Sequence, residues 1–194
     1  EDLWTATASS LKVAELLSQF EIVGVCRWKW EWWARSLCNR AILSNASDLK
    51  NFHTVNDMIK MRDFRMPFAP TMLEEYAPTY LLNRDSYVHK VKESAYYMIS
   101  AFDSTDIAQQ HLRASIHQKD KTLRPQLVSE QSNIWMYTML KEYEKMTWMW
   151  WVMNTSLNIH WYPLVGTLEQ ALFTFENSWL QYLLVDQFLI SKKA

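Results

Sequence analysis

The chain has 194 residues and a formal charge of −1, with eleven tryptophans, ten methionines and only two glycines, Gly24 and Gly166. That length holds one well-buried core, so a single domain over 1–194 is expected, and the balanced charge argues against a nucleic-acid or anionic-membrane partner. Average usage would give roughly fourteen glycines, so Gly-rich phosphate loops and turn-dense sheets are disfavoured.

The chain opens Glu1-Asp2-Leu3-Trp4, without the basic region and apolar run of a leader and without an initiator Met, which implies a processed or truncated start. Thr7, Ser9 and Ser10 offer capping hydroxyls. Beyond them Val13, Leu16, Phe20, Val23, Arg27, Trp30, Ala34, Leu37 and Ala41 recur at alternating steps of three and four, which predicts one helix about 40 Å long over 13–41. Gly24 is its weakest point. On that helix Cys26 and Cys38 lie roughly 18 Å apart, beyond the about 7 Å a disulfide spans, so free thiols and a soluble protein of a reducing, cytoplasmic compartment are expected.

Ser47 and Asp48 begin a second helix carrying Leu49, Phe52, Val55 and Ile59, which stops before the prolines Pro67 and Pro70. Thr71 with Glu74 has capping-box form for a single turn. A third helix runs from Pro78 with Leu81, Val88, Val91, Ala95, Met98 and Phe102 on one face, and a fourth starts near Ser104 with Ala108, Leu112 and Ile116. The fifth, over 125–153, carries Trp135, Met139, Glu142, Met146, Met149 and Met153. A loop over 154–166 precedes a last helix over 168–190, capped by Thr167 and Gln170. The predicted fold class is therefore all-α: an antiparallel helical bundle of about four long helices plus one or two short ones.

The aromatic residues Trp28, Trp32, Trp148, Trp150 and Trp151 are the candidate ligand-binding residues, as an apolar patch or pocket for a ligand, lipid surface or partner helix. A buried core is the competing reading for the same side chains. The apolar run 146–153 is too short to span a membrane and is broken beyond it by Asn154, Thr155, Ser156, Asn158 and His160. Arg27 and Glu142 interrupt apolar stripes, so each needs a mate or water: Glu31 for Arg27, each other across the core, or a proton-transfer role for Glu142. His53 with Asp57 and His89 with Glu93 stand at i, i+4; convergence of both pairs would make a metal site, while surface pairing explains them equally. The basic cluster 113–124 reads as a solvated turn.

No Gly-x-Ser-x-Gly elbow, Cys-x-x-Cys or His-Glu-x-x-His occurs, and no metal, cofactor or catalytic set is implied. The alternation of long amphipathic helices is similar to that of granule-coating phasins and helical lipid carriers, but no motif carries the likeness and it assigns no residue a role. The leading expectation is a non-catalytic helical bundle, artificial or de novo in origin. An apolar-ligand binder or homo-oligomer comes next, and a bundle metalloprotein or enzyme using the His/carboxylate pairs last.

Overall fold

The computed structural model describes residues 3–27, 31, 35–61, 68–82 and 90–192. Its centre is a mixed seven-stranded sheet. The strands are β1 (Val23–Cys26), β2 (Arg40–Ser44), β3 (Ala69–Leu73), β6 (Gln126–Val128), β7 (Trp151–Ser156), β8 (Tyr182–Val185) and β9 (Phe188–Ser191), in the order β6-β3-β7-β2-β1-β8-β9. β1 pairs parallel to β8 and β3 parallel to β6; the other neighbours are antiparallel. A separate ladder joins β4 (Phe102–Asp103) to β5 (Thr122–Leu123).

Helices cover both faces. On one lie α1 (Leu3–Ser18) and α6 (Ile134–Thr147), packed on each other and on Val23, Val25, Ala41, Leu43, Val152 and Leu184. On the other lie α2 (Leu49–His53) with its π-helical continuation Thr54–Lys60, α3 (Ala77–Tyr80), α4 (Lys90–Tyr96), α5 (Asp106–His111) and α7 (Leu168–Glu176), against Cys26, Ile42, Met72, Trp151, Met153 and Leu183. Successive strand residues thus serve opposite cores, as the pleat requires.

The all-α bundle is therefore overturned. Among the described residues, 13–41 hold the end of α1, a turn, β1 and the start of β2, while Trp30 and Ala34 of the presumed seam lie outside the described residues. Of the presumed seam, Val13, Leu16, Val23 and Ala41 are buried, but in different elements, while Phe20 is half exposed in the turn closing α1. The physical reason is burial on both faces. Strands so placed read as continuous apolar runs without polar alternation, and such runs also satisfy a three–four count. The presumed fifth helix likewise dissolves into β6, α6 and β7, the sixth into α7, β8 and β9, and the third into α3, α4 and β4. Thr7, Ser9 and Ser10 lie inside α1 and do not precede it, and Thr71 lies in β3. Helix starts were more local: Thr167 with Gln170 forms the expected capping box of α7, while the cap of α2 is Asp48, accepting from Lys50 N, and not Ser47, and that of α5 is Thr105, one residue beyond Ser104. Among the described residues no helix is long and apolar enough to cross a membrane.

Scarce glycine does not mean scarce left-handed turns. Phe20, Cys38, Met61, Met98, Lys121, Trp148, Trp161 and Asp186 all have positive φ, and no glycine does. Phe20 closes α1 in Schellman geometry, with Glu21 N donating to Leu16 O at 3.0 Å and Phe20 N to Leu17 O at 3.1 Å. Gly24 serves instead as a point of close approach. A Cβ there would stand 2.6 Å from Leu180 Cδ2 and 3.0 Å from Leu183 Cδ1. Both are leucine side-chain ends that can swing aside, so Gly24→Ala is expected to cost about 1 kcal/mol in a urea melt.

Candidate functional site

A cavity of about 480 Å³ opens at the carboxyl end of β7, where Asn154, Thr155 and Ser156 meet the β1–β2 connection (Arg35, Ser36) and the start of β3 (Phe68, Ala69). The segment from α5 through β5 to β6 closes it with Ser115, His117, Asp120, Thr122 and Arg124, and Met98 and Ala101 add an apolar side.

Its charge is lopsided. Arg35 and Arg124 both line it, and among the described residues neither has a carboxylate mate. Burial, and then the neighbouring Arg35, pull the Arg124 pKa below its ordinary value, and its Nε has no hydrogen-bond partner. Two like charges sharing a partly desolvated wall are unfavourable until an anion arrives. Asp120 is the cavity's acidic group, but it is engaged at the rim: Oδ1 accepts from Thr122 N at 3.0 Å and Thr122 Oγ1 at 2.8 Å, and meets His117 Nδ1 at 2.8 Å. Those bonds, the Thr122 backbone first, hold its pKa near 2.

Behind the hydroxyls lies Lys60, 2% exposed, the last residue of the π-helical turn. Its ammonium donates to Ser156 Oγ at 3.0 Å, to Ser156 O and to Asn158 Oδ1. A cation is thereby placed at the back of a cavity-lining serine, whose own hydroxyl donates to Asn158 Oδ1 at 2.7 Å.

A buried polar knot forms the floor. Asn154 Nδ2 faces Ser36 O at 3.1 Å, Cys38 Sγ at 3.2 Å, Thr71 Oγ1 at 3.2 Å and Gln126 Oε1 at 3.0 Å. Thr71 Oγ1 donates to Gln126 Oε1 at 2.8 Å, as does Cys38 Sγ at 3.1 Å. Burial pushes the Cys38 thiol far up, so it stays protonated and is no nucleophile. Asn154 Oδ1 and Ser115 Oγ, also buried, have no hydrogen-bond partner among the described residues.

Of the residues singled out from sequence as site candidates, the described ones lie outside the cavity lining. Trp28, Trp32 and His89 lie outside the described residues. Trp148 is 85% exposed at the left-handed end of α6. Trp150 stacks on Tyr76 with ring centroids 4.0 Å apart, and Trp151, at the start of β7, stacks on His111 at 5.3 Å. None of these three lines the cavity. Arg27 sets its guanidinium over the Trp135 ring at 4.7 Å, and Glu31 accepts from Asn39 N and Arg40 N, tying down the turn into β2. Glu142 pairs with Lys145 at 2.6 Å on the α6 surface. His53 and Asp57 are exposed on the α2 continuation, and among the described residues no group of three His, Cys, Asp or Glu side chains is placed to hold a metal. The segment 113–124, read as a solvated turn, supplies much of the cavity wall. One sequence signal was present but was read only as the break in an apolar run and the start of a loop: the polar run Asn154-Thr155-Ser156, which β7 delivers to the cavity.

Residues 14–192 match the family model described as carbamoyltransferase C-terminus. An uncharacterized protein of Methanocaldococcus jannaschii is 32% identical over 93% of this chain, which spans 28% of that protein's length. Full-length HypF, in its phosphate- and nucleotide-bound form, superposes with a TM-score of 0.59 at 17% identity, over 88% of this chain and 24% of HypF. YciO of E. coli does so with a TM-score of 0.58 at 12% identity, over 95% of this chain and 87% of YciO. The chain thus spans less than a third of the length of that curated relative. The family match overturns the reading of an artificial, de novo, non-catalytic bundle, since such a sequence would have no reason to carry an evolved family's pattern along nearly its whole length.

Proposed function

The chain belongs to the carbamoyltransferase C-terminus family, and from that premise we propose that its cavity binds a phosphate-bearing substrate, a nucleotide included, as one domain of a carbamoyl-transfer enzyme. The observation that carries the reading is the pair Arg35 and Arg124: two guanidiniums on one wall without a carboxylate mate among the described residues, facing the hydroxyl-lined end of β7. Guanidinium forks match phosphate oxygens bidentately, and such charge-assisted bonds are about twice as strong as neutral ones. Thr155 brings a hydroxyl beside them, while the Ser36 hydroxyl is held by Arg40 O at 2.8 Å and the Ser156 hydroxyl by Asn158 Oδ1 at 2.7 Å, with Lys60 behind Ser156. The phosphate- and nucleotide-bound state of HypF, whose fold this chain shares, supports the same ligand class.

In chemical terms the residues present hold and neutralise. A transferring carbamoyl–phosphate linkage accumulates charge on its phosphate oxygens as the bond to the carbamoyl carbon breaks. Fixed donors already aimed at those oxygens lower that barrier without reorganising. His117, oriented by Asp120 at the rim, stands where a proton can be taken or returned.

The test is isothermal titration of the chain with ATP and with inorganic phosphate. Arg124→Gln and Arg35→Gln are each expected to weaken the binding about tenfold or more, corresponding to about 1.4 kcal/mol, with the thermal unfolding midpoint of the free chain unchanged or raised. Undiminished affinity in both variants overturns the assignment.

A further inference from the structure

The floor of the cavity carries more information than its charge. Asn154 is 2% exposed and sits in the central strand β7. Its amide orientation is fixed by chemistry, because Ser36 O, 3.1 Å away, is a backbone carbonyl that can only accept, so the facing atom must be Nδ2. Cys38, Thr71 and Gln126 surround the same nitrogen. Groups from the β1–β2 connection, β3 and β6 thus converge on one end of one amide and leave its rotation no freedom. The other end, Oδ1, has no hydrogen-bond partner among the described residues. An unpaired buried amide oxygen costs a folded protein stability, and here it belongs to a residue that lines the cavity.

We infer that Asn154 Oδ1 is a specificity-determining acceptor that takes an N–H of the substrate's carbamoyl NH2 group, with Thr71 and Gln126 as the positioning residues that aim it. The inference rests on the reading of the cavity as a phosphate site. The guanidiniums fix the phosphate end of the ligand, and Asn154 then distinguishes what is joined to it. A carbamoyl group offers N–H at that position. An acetyl group offers a methyl of similar size, which leaves the oxygen unpaired and desolvated. A carboxylate offers only oxygen lone pairs, which repel it. A site built around such an acceptor rejects the analogue that lacks the donor more strongly than a merely shape-matched site does.

The experiment compares carbamoyl phosphate, acetyl phosphate and inorganic phosphate by titration against the unaltered chain. Carbamoyl phosphate is expected to bind at least about tenfold more tightly than acetyl phosphate. With asparagine-selective ¹⁵N labelling, the Asn154 side-chain amide resonance is expected to move with the former and not with the latter. Asn154→Ser, which keeps a donor for the knot but withdraws the oxygen, is expected to bring the two affinities within about twofold while inorganic phosphate binds as before. Equal affinity of the unaltered chain for the two acyl phosphates overturns the inference by itself, even if the serine variant does not fold. So does discrimination that survives in a folded Asn154→Ser. If none of the three ligands binds, the phosphate reading of the cavity fails, and this inference with it.

Discussion

Trp135→Ala is expected to lower the unfolding free energy by about 3–5 kcal/mol, read as a shift of the urea midpoint at unchanged slope. Trp135 is 2% exposed and, among the described residues, the largest of the fully buried side chains. It lies in α6, where α6 and α1 form the layer over one face of the sheet. Its Nε1 donates to Ser9 Oγ in α1 at 3.0 Å, and the Arg27 guanidinium rests on its ring. Truncation therefore empties a large volume, removes the indole N–H bond to the Ser9 hydroxyl and takes away the aromatic face under a cation that is itself 5% exposed. Trp135→Phe keeps a ring beneath Arg27 and is expected to lose about a third as much. A loss below about 1 kcal/mol for the alanine variant would mean that α1 and α6 are not packed as described.

The opposite sign is expected from glycine. Replacing Phe20, Trp148 and Trp161 together by glycine is expected to raise stability by about 2–3 kcal/mol. Their φ values are 65°, 60° and 72°, a region in which a β-carbon crowds the following carbonyl. Each costs about 1–2 kcal/mol, from which the greater freedom of glycine in the unfolded chain subtracts part. Little burial is forfeited at Trp161, 91% exposed, and Trp148, 85% exposed, whereas Phe20, 50% exposed, gives up about half of its ring's contact and contributes least to the gain. The three stand in separate turns, after α1, after α6 and beyond β7, so their effects should add. Trp148→Ala keeps a β-carbon at φ 60° and is the control: it should recover almost none of the gain. Equal stabilisation by alanine and glycine would locate the effect in loss of the indole and not in the backbone.

These left-handed positions also explain why the fold was hard to read. Two glycines in the chain suggested few turns, yet the turns are present and are made by residues that ordinarily avoid them. Strands were hidden for a different reason. In β1 the run Val-Gly-Val-Cys and in β7 the run Trp-Val-Met are buried on both sides, so no polar alternation marks them, and methionine and tryptophan fell by chance onto helical spacing. What survived was local: Thr167 caps as expected, and Asp48 and Thr105 cap one residue beyond the expected Ser47 and Ser104, all through bonds to residues two or three positions on, and a short-range bond leaves a short-range pattern. The cavity left a trace in the sequence only at Asn154-Thr155-Ser156, which read there as the start of a loop. Arg35 and Arg124 are far apart in the chain and join only through the sheet order, which no spacing rule reports.

The parallel pairing of β1 with β8 has a consequence for biosynthesis. Val23 lies beside Tyr182 and Cys26 beside Val185, Asp186 N continues the ladder by donating to Cys26 O at 3.0 Å, and the Arg27 side chain reaches Asp186 O across a separation of 159 residues. A ribosome adding roughly 5–20 residues per second exposes the first strand for about ten to thirty seconds before its neighbour exists. During that interval the Val-Gly-Val-Cys edge has only β2 beside it, and an unpaired apolar edge invites pairing with another chain. Slow translation or a missing carboxyl-terminal hairpin should therefore send the nascent protein toward chaperones or inclusion bodies, while leaving the cavity-lining end of β7 with both its strand neighbours in place.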